Sequence, residues 1–138
     1  VNLARDLAQA GHPVLRFDYR GEGESSGEFS DFSVSSRKQD IKYTVEELKK
    51  ITTVKDVCLL GFRLGATLSL ISAKELSCKY VIACDPVTDG KQYADGLIKS
   101  NVAMQLYYFG KVTKDAKALK ELLLSGGKIR CFIIQLCH

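Results

Sequence analysis

The sequence predicts an α/β domain, a parallel sheet with helices on both faces. Three observations carry that prediction. Short runs that are apolar throughout, at 57–60 and Tyr80–Cys84, alternate with helical patterns along the chain, and strands without a polar side belong to sheets covered on both faces. Each run passes straight into a turn, Gly61-Phe62-Arg63-Leu64-Gly65 or Asp85-Pro86. The intervening segments show the three-and-four spacing of helices laid against a sheet.

Taken in order, Leu3, Ala4, Leu7 and Ala8 form one helical face, and Gly11 stops it. Residues 14–17 read as a short strand that enters a turn holding Gly21, Gly23 and Gly27. Ser33, Ser35 and Ser36 offer N-caps to a helix carrying Ile41, Val45 and Leu48. The run at 57–60 is a buried strand, and 66–76, apolar on most sides, is a helix packed deep against the sheet. Tyr80–Cys84 is a second buried strand. A long helix follows, with Ala94, Leu97, Ile98, Val102, Leu106 and Phe109 in phase and Gly110 as its stop. Residues 115–124 form a short helix with Leu119, Leu122 and Leu123 inward. Ser125-Gly126-Gly127 breaks it before a β-like run over 129–134. With no repeat and no linker, 1–138 reads as a single domain. Its pattern opens in mid-course at Val1, as in the central portion of something longer.

Composition narrows the function classes. In 138 residues, 46% hydrophobic and 26% charged side chains exclude wholesale disorder. Twenty Lys+Arg against sixteen Asp+Glu leave +4, too mild and too evenly spread for a nucleic-acid partner. Lys114, Lys117 and Lys120 read as the solvated side of a helix. Five cysteines with no C-x-x-C pair argue against a disulfide framework or a metal site, and for a reducing, cytoplasmic setting. No apolar run approaches the roughly eighteen residues of a membrane span.

Functional residues of such sheets gather beyond the carboxyl ends of the strands, here 18–25, 61–65 and 85–90. The sharpest feature is the five-residue turn 61–65. Gly61 and Gly65 flank it, so its middle residue is lifted over the sheet, the geometry of a Gly-x-Ser-x-Gly nucleophile elbow. The middle residue is Arg63. A guanidinium stays protonated and has no lone pair with which to attack a carbonyl. It can hold an anion or a polarised carbonyl with the Leu64 and Gly65 amides at the start of the next helix. Asp85 and Asp89, just past the neighbouring strand, are the acids placed to pair with Arg63 or bind a hydroxyl or amine, although Asp89-Gly90 is also an ordinary turn pair. Cys84 reads as a packed core thiol, with no nearby cation to activate it. A nucleotide-binding reading, in which Asp85 lies twenty residues after Gly65, is the less favoured alternative, because the middle glycine of Gly-x-Gly-x-x-Gly and a Walker lysine are missing.

The segment Phe17-Asp18-Tyr19-Arg20-Gly21-Glu22-Gly23-Glu24-Ser25 resembles the Asp-x-Arg-Gly-x-Gly-x-Ser turn after the fourth strand of α/β-hydrolases. Its distance from 61–65 suits one helix and one strand, as in that fold. The resemblance covers about residues 1 to 90 and implies a partial α/β-hydrolase fold. Asp18, Arg20, Gly21, Gly23 and Gly61 then have structural turn roles, and Ser25 closes its turn by hydrogen bonding. Residues 61–66 with 85–90 are similar to the exosortase-associated, serine aminopeptidase-like hydrolases, in which an arginine at the elbow is familiar. The implied activity is hydrolysis of ester- or amide-type acyl bonds with no cofactor. The only histidines are His12, in a turn away from the strand ends, and His138, the last residue, so no complete triad assembles. The alternative is a non-catalytic protein that binds a small acyl or anionic ligand or acts as a scaffold.

Overall fold

Ser33 begins the longest early element because its side chain accepts the Ser36 N–H while the Ser36 hydroxyl accepts the Ser33 N–H, a reciprocal capping box. The helix it starts, α2 (Val34–Ile51), follows α1 (Asn2–Gln9) and a single 3-10 turn at Phe29–Asp31. The computed structural model describes residues 2–128. These form two compact units, 2–87 and 88–128.

In the first unit, β1 (Cys58–Phe62) pairs in parallel with β2 (Tyr80–Cys84), Cys58 opposite Tyr80 and Phe62 opposite Cys84. The crossover between them is α3 (Leu64–Ala73), the unit that a parallel pair requires. Ile41 and Val45 of α2, Val57 before β1 and Leu68 of α3 form the buried core, with Leu48, Leu59, Leu64 and Leu76 packed against it. Helix α3 lies on the sheet face that bears Leu59 and Gly61. The alternate residues Leu60, Phe62, Tyr80 and Ile82 point to the other face and are exposed.

The expected strand at 14–17 is not formed. Val14, Leu15 and Phe17 are exposed and join no ladder among the described residues, because an apolar run becomes a strand only when a neighbour supplies the partner groups. The expected run over 129–134 lies outside the described residues.

The second unit is an α-hairpin of α4 (Gly90–Phe109), stopping at Gly110, and α5 (Ala116–Leu124). Asp115 caps α5 by accepting the Ala118 N–H. Buried Gln105 holds the connection. Its amide donates to Asn101 Oδ1 and the Lys114 carbonyl, and its carbonyl oxygen accepts the Thr113 N–H and hydroxyl and the Lys114 N–H.

Leu68 is 1% exposed at the centre of the first core. Leu68→Ala is therefore expected to destabilise the chain by about 2–5 kcal/mol. Leu124, 88% exposed, should tolerate alanine within about 0.5 kcal/mol. Urea unfolding of the two variants checks the contrast, and equal losses would place the core elsewhere.

Candidate functional site

Two neighbouring parallel strands end level with one another, so the residues after Phe62 and Cys84 stand side by side. Those residues are Arg63 and Asp85, and both have φ of +50°. Arg63, with ψ of −118°, sits in a region that side chains rarely occupy and that costs about 1–3 kcal/mol. Its N–H donates to the Cys84 carbonyl at 2.9 Å, while its own carbonyl accepts the Ala66 and Thr67 N–H groups. The backbone is thus tied to β2 on one side and to α3 on the other. Gly61 makes the sharp turn possible, since a Cβ there would lie 2.6 Å from the Ala66 nitrogen.

The side chain at the tip of this turn is exposed. Arg63 Nη1 donates to Asp85 Oδ2 at 3.2 Å, with the two side chains 69% and 80% accessible. Thr67 donates from its hydroxyl to the Val87 carbonyl and so fixes the segment after Asp85 against α3. The first two amides of α3, Leu64 and Gly65, meet no acceptor among the described residues. Open N–H groups, a helix dipole and a guanidinium therefore converge at one strand end. Asp89 is occupied differently. Its Oδ1 accepts the Lys91 and Gln92 N–H groups as the N-cap of α4.

The glycine turn of 18–28 is a structure of its own. Ser25 donates from its hydroxyl to the Asp18 carbonyl, and Asp18 Oδ2 accepts the Glu24 N–H. Gly23 passes so close to the Asp18 carboxyl that a Cβ would lie 2.6 Å from its carbon. Arg20 grips Asp40 of α2 twice, from its backbone N–H and from Nε at 2.6 Å. Buried Arg37 pairs with Glu22 and lies over the rings of Tyr19 and Phe29. Burial, with help from Glu22 and Asp40 and against the effect of Arg37, pushes the Tyr19 phenol up to about 12.

Cys84 is half-buried, and burial raises the thiol of Cys78. His12 donates its backbone N–H to the Leu7 carbonyl in the turn after α1, and His138 lies outside the described residues. No group of His, Cys, Asp and Glu among the described residues is placed to hold a metal ion.

Residues 1–127 match the family model described as serine aminopeptidase, S33. The chain belongs to the serine aminopeptidase S33 family. No curated protein and no solved structure matches it. For this S33 chain the match, the parallel β1–α3–β2 unit and the remaining helices together establish a partial α/β-hydrolase fold.

Sequence reasoning missed Arg37 and Asp40, the α2 partners of the glycine turn. The available signal was phase: Arg37 lies four residues before buried Ile41, and Asp40 three residues after Arg37, so charges stood on the buried side of an amphipathic helix. Gln105 carried no such signal.

Glycine tolerates the Arg63 backbone without strain, and the Arg63–Asp85 pair is too exposed to contribute more than about 1 kcal/mol. Arg63→Gly should therefore unfold in urea at the same or a higher midpoint than the parent. A clear drop would show that the arginine is held for stability. Because the phenol of Tyr19 is raised in the folded state, its contribution is complete below the unfolded value of 10.0 and is lost as pH climbs through about 12. The melting temperature should fall more steeply between those values than in Tyr19→Phe, and parallel curves would refute the burial of that hydroxyl.

Proposed function

We propose that this S33-family chain binds a small acyl or anionic ligand at the ends of β1 and β2, and that serine-type acyl transfer does not run through this turn. The observation that carries the reading is Arg63 itself: a permanently charged, exposed side chain at the tip of a strained strand-to-helix turn, one hydrogen bond from Asp85. The guanidinium and the Leu64 and Gly65 amides face negative charge. A ligand carboxylate or carbonyl oxygen displaces Asp85 from Arg63, and the freed Asp85 carboxylate then accepts from a hydroxyl or ammonium on the same ligand. Without ligand, Asp85 keeps the guanidinium neutralised. Asp89, committed to capping α4, has no role in this reading.

Family membership favours a second reading, hydrolysis of an ester- or amide-type acyl bond by a nucleophile elsewhere. The likeness of 61–66 and 85–90 to exosortase-associated hydrolases supports a place near that subgroup, and the cysteine usage supports a cytoplasmic setting.

Two measurements on the whole chain separate these readings. Short-chain carboxylates should raise the melting temperature, with a stabilisation of about 2.7 kcal/mol at a hundredfold excess over Kd, and Arg63→Ala should abolish the rise. A fluorophosphonate probe should leave every serine unlabelled by mass spectrometry. A labelled serine, or an unchanged rise in Arg63→Ala, would overturn the binding reading.

A further inference from the structure

Helices α2 and α3 do not close tightly along their whole seam. Ser35, Lys38, Gln39 and Lys42 follow one another at three-and-four spacing, so they share one face of α2. Opposite them stand Ser72 of α3 and Glu75 just after it. Together with Leu76 these side chains line a cavity of about 120 Å³, several times the roughly 30 Å³ that one water takes in the liquid. Both helices belong to the first unit.

Two features of this cavity are unusual for a helix seam. Ser72 is 1% exposed, and its hydroxyl has no hydrogen-bond partner among the described residues. A buried polar group left in that state is destabilising and calls for an acceptor. The charge around it is also unbalanced. Lys38 donates to Glu75 Oε2 at 3.1 Å, which accounts for the one acid, whereas half-buried Lys42 has no such partner among the described residues. Ser35 lies in the first turn of α2, where the helix dipole adds further positive potential.

We infer that the α2–α3 seam is a binding site for a small phosphate-type oxyanion, separate from the strand-end site. Ser72 and Ser35 hydroxyls, the Gln39 amide and the Lys42 ammonium are its donors. The chemistry favours a tetrahedral ion over a carboxylate. The donors come from two helices rather than from one planar fork, and the cation is a lysine, which acts as a point charge and not as a bidentate clamp. The Lys38–Glu75 pair borders the site and lowers its net charge, so Glu75 weakens binding.

The test titrates the whole chain with inorganic phosphate at constant ionic strength, with chloride as the balancing salt, and follows both melting temperature and heat of binding. Phosphate should stabilise the chain where chloride does not. Lys42→Gln should weaken binding about tenfold, Glu75→Gln should tighten it, and in an Arg63→Ala background the Lys42- and Ser72-dependent part of the effect should persist. Ser72→Ala should weaken it too, while the ligand-free variant melts at or above the parent temperature because an orphaned hydroxyl has been removed. O-phosphoethanolamine supplies the second arm: an equal effect assigns the site to phosphomonoesters, and an effect of inorganic phosphate alone assigns it to the free ion. The inference is overturned if phosphate acts no differently from chloride, or if Arg63→Ala removes the effect while Lys42→Gln and Ser72→Ala retain it. It is equally overturned if Ser72→Ala lowers the ligand-free melting temperature by several degrees, which would make the hydroxyl structural.

Discussion

The close approach of β1 to the start of α3 is the constraint on which the rest of the first unit depends. It exists because Gly61 has no side chain to meet the Ala66 amide. Once the chain turns that tightly, Leu64 and Leu68 fall onto the Leu59 side of the sheet, and the core closes around Ile41, Val45 and Val57. The same turn leaves Arg63 with nowhere to go but upward. Its backbone groups are bonded to β2 and to α3, so the left-handed conformation is imposed by its neighbours and not chosen by the residue. Packing and site are one event here: the burial that forms the core also presents the guanidinium.

A second constraint acts on the glycine turn of 18–28, which is tied to α2. The glycine turn has few apolar side chains to anchor it, and charged groups anchor it instead. Arg37 is 4% exposed, lies over the rings of Tyr19 and Phe29 and pairs with Glu22, while Asp40 receives both contacts from Arg20. Removing one partner of a buried pair leaves an uncompensated charge, at a cost of about 3–5 kcal/mol. These pairs therefore specify where the loop sits more than they add to stability. Aromatic stacking on Arg37 serves the same end, because it holds the planar guanidinium in one orientation.

Much of this was legible in the sequence, for identifiable reasons. Tyr80–Cys84 is a strand at the expected residues, and α4 ends at the expected Gly110, because continuous apolar runs and helix-stopping glycines are local signals. The strand-to-helix turn was legible at its centre but not in its extent: β1 runs through Phe62 and α3 starts at Leu64, so only Arg63 stands between them where five turn residues were expected. Residues 14–17 were misread since pairing is not a local property: an apolar run states that a strand could form, not that a neighbour is present. Arg37 and Asp40 were missed for a related reason. Their partners Glu22 and Arg20 lie fifteen and twenty residues away, beyond any helical period. The spacing of residues 35, 38, 39 and 42 could be read as a polar helix face, but only the fold reveals that Ser72 stands across from it.

Serine hydrolysis at a strand-to-helix turn needs two properties together. One is positional: a strained backbone that lifts a side chain above the sheet beside open amides. The other is chemical: a side chain that can give up a proton and attack. The turn at Arg63 has a strained backbone, with φ of +50° and the Leu64 and Gly65 amides open among the described residues, and its arginine cannot attack a carbonyl. Strain of that kind persists only while the surrounding structure enforces it, and here Gly61, Cys84 and Thr67 all enforce it. A geometry adapted to stabilising negative charge on an acyl oxygen is equally suited to holding a negative charge that never reacts. Under the binding reading proposed above, Arg63 adds a fixed positive charge beside those amides.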